Sequence, residues 1–242
     1  MTVINLEKCN GCKICHRYCT VDAIYYENKK CYIDQDKCTE CYVCIRQKVC
    51  PQDAIEPIDL NTFLKQFQHV ISDPVENHGV TGVTGRGTEE VKTNDVTGRI
   101  QAGEVGVCID MGRPGKGVYL RDASKVAMAI TGAGGELLPA DHTPLAALMK
   151  DLKTGELIDE CLNYHLLSVI VEGKCREEQL PEILQALKDV GQELETCFSL
   201  GLILRVDEDG QTTALQCLDQ LGIPQPHRGK VNVGLGRPLY VN

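Results

Sequence analysis

The chain has 242 residues, enough for one large or two modest domains, and a formal net charge of −9. That acidity argues against nucleic acid as a ligand, because phosphate binding needs a basic face. No apolar run approaches the roughly 18 residues of a membrane helix, and the first cysteine stands at position 9, too early to follow a cleaved leader. A soluble cytoplasmic protein of low-potential, anaerobic metabolism is expected.

Nine of the 14 cysteines and five of the eight tyrosines lie at or before Cys50, and Trp is absent. This imbalance divides the chain into a Cys-rich domain over 1–60, a connecting segment over 61–103 and a second domain over 104–242. The first domain holds two cysteine runs, Cys9-x-x-Cys12-x-x-Cys15-x-x-x-Cys19 and Cys38-x-x-Cys41-x-x-Cys44 followed by Cys50-Pro51. Thiolates at i, i+3 and i+6 wrap one corner of a cube, so each run offers three ligands to one iron–sulfur cluster. Zinc also uses Cys-x-x-Cys knuckles, but it has no use for a third Cys at the same spacing, which occurs here twice. Disulfides do not suit a framework of this kind in a reducing compartment.

Between the ligands the region repeats itself: Cys19-Thr20-Val21-Asp22-Ala23-Ile24 aligns with Cys50-Pro51-Gln52-Asp53-Ala54-Ile55. In each copy the Cys is expected to open a short helical turn, with the Ala-Ile pair packed on a cluster. Ala23–Tyr26 and Lys30–Asp34 are expected to be strands around the turn Glu27-Asn28-Lys29. So short a chain buries little core, so bound clusters would supply much of its stability.

On these motifs the first domain resembles the clostridial-type ferredoxins with two [4Fe–4S] clusters. The resemblance implies that the distant Cys of each run ligates the other cluster. Cys9, Cys12, Cys15 and Cys50 would then hold cluster one, and Cys38, Cys41, Cys44 and Cys19 cluster two. Thr20 replaces the usual Pro after the fourth Cys, and five residues rather than three precede Cys50, so the two potentials are expected to differ. Cys31 fits neither set and is read as a small apolar strand residue.

In the connecting segment, Asp59 or Asn61 is expected to cap a helix to about Ser72, with Phe63, Leu64, Phe67, Val70 and Ile71 on one face, stopped by Asp73-Pro74. This helix would dock the first domain on the second. The stretch Val80–Gly103 mixes glycines, hydroxyls and the cations Arg86, Lys92 and Arg99. It is either a solvated irregular loop or a site where backbone and cations grip an anion.

The second domain alternates strands and helices. Strands are expected over Gly103–Met111, His165–Glu172, Cys197–Val206 and Lys230–Leu235. Helices are expected from Asp122 to Ile130, from Pro144 to Leu152, over Glu156–Tyr164, over Glu177–Glu195 and before Leu221. Gly112-Arg113-Pro114 and Gly236-Arg237-Pro238 each follow a strand. The turn Gly112–Gly117 is either a plain strand exit or an anion cradle using Arg113 and Lys116. Cys161, Cys197 and Cys217 are assigned to apolar packing. The fold class is α+β: a dicluster ferredoxin module followed by an α/β sandwich with a mixed sheet, of the ferredoxin-like topology.

The segment from Gly87 to Arg99, with Gly112-Arg113-Pro114-Gly115, resembles 6-hydroxynicotinate reductase, which joins a ferredoxin module to a region of this kind. The resemblance implies a substrate or partner site at Arg86, Lys92, Asn94, Asp95, Arg99 and Arg113. The reading is therefore an electron-transfer protein or subunit, passing low-potential electrons to a reductase partner or a bound substrate. Two alternatives stand beside it: a ferredoxin-dependent reductase of a small anionic heteroaromatic, and a ligand-binding redox regulator. The expected partner is a redox protein in a homo- or hetero-oligomer. No Gly-x-Gly-x-x-Gly fingerprint follows a strand, so any flavin is expected on a flavoprotein partner.

Overall fold

The computed structural model describes residues 2–57, 59–86, 99–113, 115–205 and 212–224. Strand β1 (Val3–Ile4) pairs antiparallel with β4 (Ile55–Glu56) and ties together the two ends of the first module. Between them β2 (Ile24–Glu27) and β3 (Lys30–Ile33) form a hairpin. Its turn residues Asn28 and Lys29 sit at φ 47 and 62, the left-handed pair whose twist matches that of the strands.

The internal repeat is written into the backbone. Cys9 N–H donates to Asn5 O and Cys38 N–H to Asp34 O, each at 3.0 Å. The side chains of Asn5 and Asp34 each accept two N–H groups just downstream. Left-handed backbone recurs at matching places: Gly11 and Glu40, Lys13 and Tyr42, Asp22 and Asp53. At Gly11 no other residue fits, since a Cβ would lie 2.2 Å from Lys29 O. The longer spacing before Cys50 is taken up by the one-turn helix α1 (Val43–Arg46) and by left-handed Lys48.

Helix α2 (Phe63–Ser72) begins after Thr62, whose hydroxyl accepts Lys65 N–H at 3.3 Å. Thr62 is the cap rather than Asp59 or Asn61, because its side chain stands at the position from which it reaches the third N–H. Phe67 and Ile71 enter the large core, whereas Phe63 stays 58% exposed. Gln68, His69 and Ser72 are buried on the same helix. The docking face is therefore partly polar, not the continuous apolar stripe that the spacing suggested.

The second domain is built on a sheet in the order β12-β5-β11-β7. Its strands are β5 (Glu104–Met111), β7 (Glu136–Leu137), β11 (Val169–Arg176) and β12 (Phe198–Ile203). Helix α3 (Leu120–Gly132) connects β5 to β7, and α4 (Leu180–Val190) connects β11 to β12. Each connection is a split β-α-β unit, the ferredoxin-like topology. Every described pair in this sheet is antiparallel, which corrects the expectation of a mixed sheet. In a split unit the two strands joined by a helix are not neighbours, because an antiparallel strand lies between them.

Register divides the sheet into two faces. Val105, Val107, Ile109 and Met111 face Cys175, Gly173, Val171 and Val169 across the strands and pack under α3 and α4. The opposite face carries Cys108, Asp110 and Glu172, all buried, with Ile100 against Gly106 and the guanidinium of Arg86 on Asp110.

Smaller elements complete the domain. Strands β6 (Val118–Tyr119) and β10 (His165–Leu166) pair with each other, as do β8 (Met149–Asp151) and β9 (Glu156–Leu157). Helix α5 (Thr213–Gln220) sends Ala214, Cys217 and Leu218 into the core. The helix expected over Glu156–Tyr164 is thus a short strand followed by a 3-10 turn, and Pro144–Leu148 is a 3-10 turn leading into β8. In both places apolar residues stand at helical spacing, Leu145, Leu148, Met149 and Leu152 and then Leu157, Ile158, Cys161 and Leu162, but the pairing of β8 with β9 overrides that local pattern. The strand expected over Lys230–Leu235 lies outside the described residues.

Candidate metal centres

The two cysteine runs meet in two cavities. Cys9, Cys12 and Cys15 line the first together with Cys50, against Ile4, Ala54 and Ile55. Cys38, Cys41 and Cys44 line the second together with Cys19, against Val21, Ala23 and Ile24. Each cavity thus draws three thiols from one run and the fourth from the other. The aligned repeats supply matching hydrogen bonds, Ala23 N–H to Cys19 Sγ at 3.2 Å and Ala54 N–H to Cys50 Sγ at 3.3 Å. Such N–H···S contacts favour charged sulfur.

Burial pushes the Cys15 thiol up to about 12 and Cys44 up to about 11, and raises Cys38 and Cys41 as well. Thiols crowded in this way ionise together only beside a strong positive charge, so binding metal would release protons. Four soft donors and an apolar lining in each cavity fit an iron–sulfur cluster. Cys31 also lines the first cavity, 2% exposed, with its N–H 3.5 Å from Cys9 Sγ. The sequence indicated a packed strand residue there but not that it would face the ligands.

The polar groups around the second cavity escaped sequence reasoning. Four carbonyls of its ligand loop are held in turn: Lys37 O by His165 Nδ1 at 2.7 Å, Cys38 O by Gln68 Nε2 at 3.0 Å, Glu40 O by His69 Nδ1 at 2.7 Å, and Cys41 O by Arg46 at 3.2 Å. Gln68 also donates to His165 O at 2.9 Å. Arg46 is anchored in turn on both oxygens of Asp73. Buried Glu40 accepts from Thr2 N–H at 2.8 Å and from the Cys38 thiol at 3.4 Å. The one sign of this network in the sequence is the Gln68-His69 pair interrupting the apolar stripe of α2. His69, Asp73 and Glu76 bring ligand atoms within 4.8 Å of one another, but the bonds to Glu40 O and Arg46 already occupy His69 Nδ1 and both Asp73 oxygens.

The described residues among those expected to hold a substrate have separate partners. Arg86 is buried on Asp110, Arg99 lies 3.6 Å from Asp141, and Arg113 is exposed with its carbonyl accepting the Cys197 thiol at 3.0 Å. Lys92, Asn94 and Asp95 lie outside the described residues. Cys161 and Cys217 are buried, but Cys197 is exposed, because it directly precedes β12 and its thiol turns to the Gly112–Gly117 turn. In that turn the N–H groups of Lys116 and Gly117 both donate to Gly112 O and are not free to cradle an anion.

The N-terminal region is an iron–sulfur, ferredoxin-like module of the electron-transfer class: residues 2–25 match the family model for the 4Fe-4S binding domain. A 48-residue stretch is 46% identical to one of the subunits of the ion-translocating oxidoreductase complex of Methanosarcina acetivorans, covering 20% of this chain and 17% of that protein. No solved structure matches the chain. Among the described residues no helix is long and apolar enough to cross a membrane.

Proposed function

We propose that the chain is a two-cluster electron relay that passes low-potential electrons from its first module to a reductase partner or to a molecule bound on the second domain. Cluster one would be held by Cys9, Cys12, Cys15 and Cys50, and cluster two by Cys38, Cys41, Cys44 and Cys19. The observation that carries this reading is that each of two cavities collects three thiols of one run and one thiol of the other. When bound, each cluster would take up and release one electron at a time. The chain itself would set where those electrons leave: Gln68, His69 and His165 fix the second loop against the second domain, so the second cavity is the one on that side. The likeness to a component of an oxidoreductase complex supports a partner protein, and a flavin on that partner would join single electrons to two-electron chemistry.

Iron and acid-labile sulfide analysis of anaerobically prepared protein tests this reading. Two clusters require about eight of each per chain, and a value near four would overturn the two-cluster relay. A second reading, a ferredoxin-dependent reductase of a small anionic heteroaromatic, is favoured by a crevice where the two modules meet. Turnover of 6-hydroxynicotinate by the reduced protein would support it.

A further inference from the structure

The first cavity holds one thiol more than a four-iron cluster takes. Cys31 lines it beside Cys9, Cys12, Cys15 and Cys50, whereas among the described residues the second is lined by Cys19, Cys38, Cys41 and Cys44 and no further cysteine. Strand β3 passes both cavities: Cys31 lines the first and Ile33 the second, two residues apart and so on one face of the strand. A branched aliphatic serves as wall in the second cavity, so packing alone does not call for a thiol in the first.

Cys31 is fixed where it stands. It pairs with Tyr26 across the hairpin, is buried, and directs its N–H to Cys9 Sγ at 3.5 Å. The same hairpin grips the ligand loop at two further points. Lys30 bonds the carbonyls of Leu6 and Cys9, and Gly11 lies so close to Lys29 O that no side chain fits. The Cys31 thiol is in hydrogen-bond contact with the Cys15 thiol, and Cys9 and Cys12 are near enough to act on its charge. Cys15 is placed differently. It opens a single 3-10 turn, Cys15–Tyr18, directly after exposed Lys13 and Ile14, and Lys13 has left-handed backbone. Four thiolates complete a [4Fe–4S] cluster, so one thiol of this touching pair is surplus. The surplus one stands on a paired strand, the other on a short turn behind an exposed loop.

We propose that Cys31 is a reserve ligand of cluster one, taking the position of Cys15 when that thiol is lost. The inference rests on the two-cluster reading above and adds a ninth cysteine to it. In the exchange Cys31 gives up its thiol proton as its sulfur takes the ligand position, and Cys15, where it is still present, takes a proton up. No electron moves and the net charge is unchanged. The contact is with Cys15, so the reserve covers Cys15 and not Cys50 of the other run.

The test is iron analysis, with electron paramagnetic resonance of the reduced protein, on variants of the full chain prepared anaerobically. Cys15→Ala should keep about eight iron per chain, and Cys15→Ala/Cys31→Ala should hold about four. Cys31→Ala alone should keep about eight. The resonance of cluster one should shift in Cys15→Ala, because one thiolate then comes from a different element, while that of cluster two stays in place. Equal iron in Cys15→Ala and the double variant would overturn the reserve. Cluster two reports on folding in every variant. If Cys15→Ala lost that cluster as well, Cys15→Ser with and without Cys31→Ala decides by the same difference of about four iron, and equality there overturns the proposal too. The two-cluster reading would survive that result as long as the unaltered chain carried about eight iron. An unaltered chain with about four would remove that reading instead, whatever the variants showed.

Discussion

The two thiol cavities come from one repeated motif, yet their surroundings are opposite. Both are lined by module residues alone, and the difference lies in what stands behind the lining. In the first, Cys12 is exposed, as are the next two residues, Lys13 and Ile14. Lys30 extends its ammonium to Leu6 O at 2.9 Å and to the carbonyl of Cys9. The second cavity is pressed against the second domain, its loop carbonyls held by side chains, with the buried carboxyl of Glu40 on the Cys38 thiol. Duplication thus supplied equal donor sets, and the added domain made them unequal in access and in charge. A cation beside one anionic cluster and a carboxylate beside the other would separate their potentials, with the first the easier to reduce.

The largest effect separating the two comes from removing a single ligand. Cys50→Ala and Cys19→Ala should each lower the iron content from about eight to about four per chain, but with different structural consequences. Cys19→Ala should loosen the loop Lys37–Cys41 and raise hydrogen exchange in α2, because Gln68 and His69 lose a fixed partner. Cys50→Ala should leave α2 protected. Equal exchange in the two variants would mean that the clamp does not depend on which cavity is filled.

Charge deletion gives a smaller effect of opposite sign in the two cavities. Glu40→Gln should raise the potential of cluster two, and Lys30→Gln should lower that of cluster one, each read by redox titration with electron paramagnetic resonance. A shift of about 59 mV for a one-electron couple corresponds to a tenfold change in electron partition, and shifts of that order are expected from one nearby charge. If both variants moved the same cluster, or neither moved any, the electrostatic contrast would be wrong.

Half of this contrast was legible in the sequence. Ligand spacing, the Cys19/Cys50 repeat and the Asn28-Lys29 turn are local patterns, and local patterns survive folding. Thr62 as the cap was missed because neighbouring Asp59 and Asn61 serve equally well on propensity. The antiparallel sheet was missed because a split β-α-β unit and a simple one have the same element order, and only register distinguishes them. The clamp was hardest to see: Gln68 and His165 are 97 residues apart, and no short motif announces a side chain that will meet a carbonyl at that separation. The arginines grouped by their sequence neighbourhood pair with separate carboxylates, Arg86 with Asp110 and Arg99 with Asp141, partners that a glycine-rich stretch does not announce.

The smallest effect concerns pH and belongs to the second cavity alone, because the buried histidines among the described residues, His69 and His165, both hold its loop. Burial lowers the pKa of His165 below its ordinary value near 6.5, against a pull in the other direction from the carbonyls of Lys37 and Lys116. With the folded value depressed, the unfolded chain binds more protons in the interval between the two values. Stability from this group is then complete above about pH 6.5 and is lost as pH falls through that interval, by at most about 1.4 kcal/mol per unit. Urea unfolding of the anaerobic holoprotein between pH 7.5 and 5 should show this loss (roughly the range in which histidine titrates), and His165→Asn should flatten it. A neutral imidazole has one N–H and can donate to only one of the two carbonyls. If stability instead rose as the pH fell, the second carbonyl would outweigh burial, and the ring would sit between the modules as a cation.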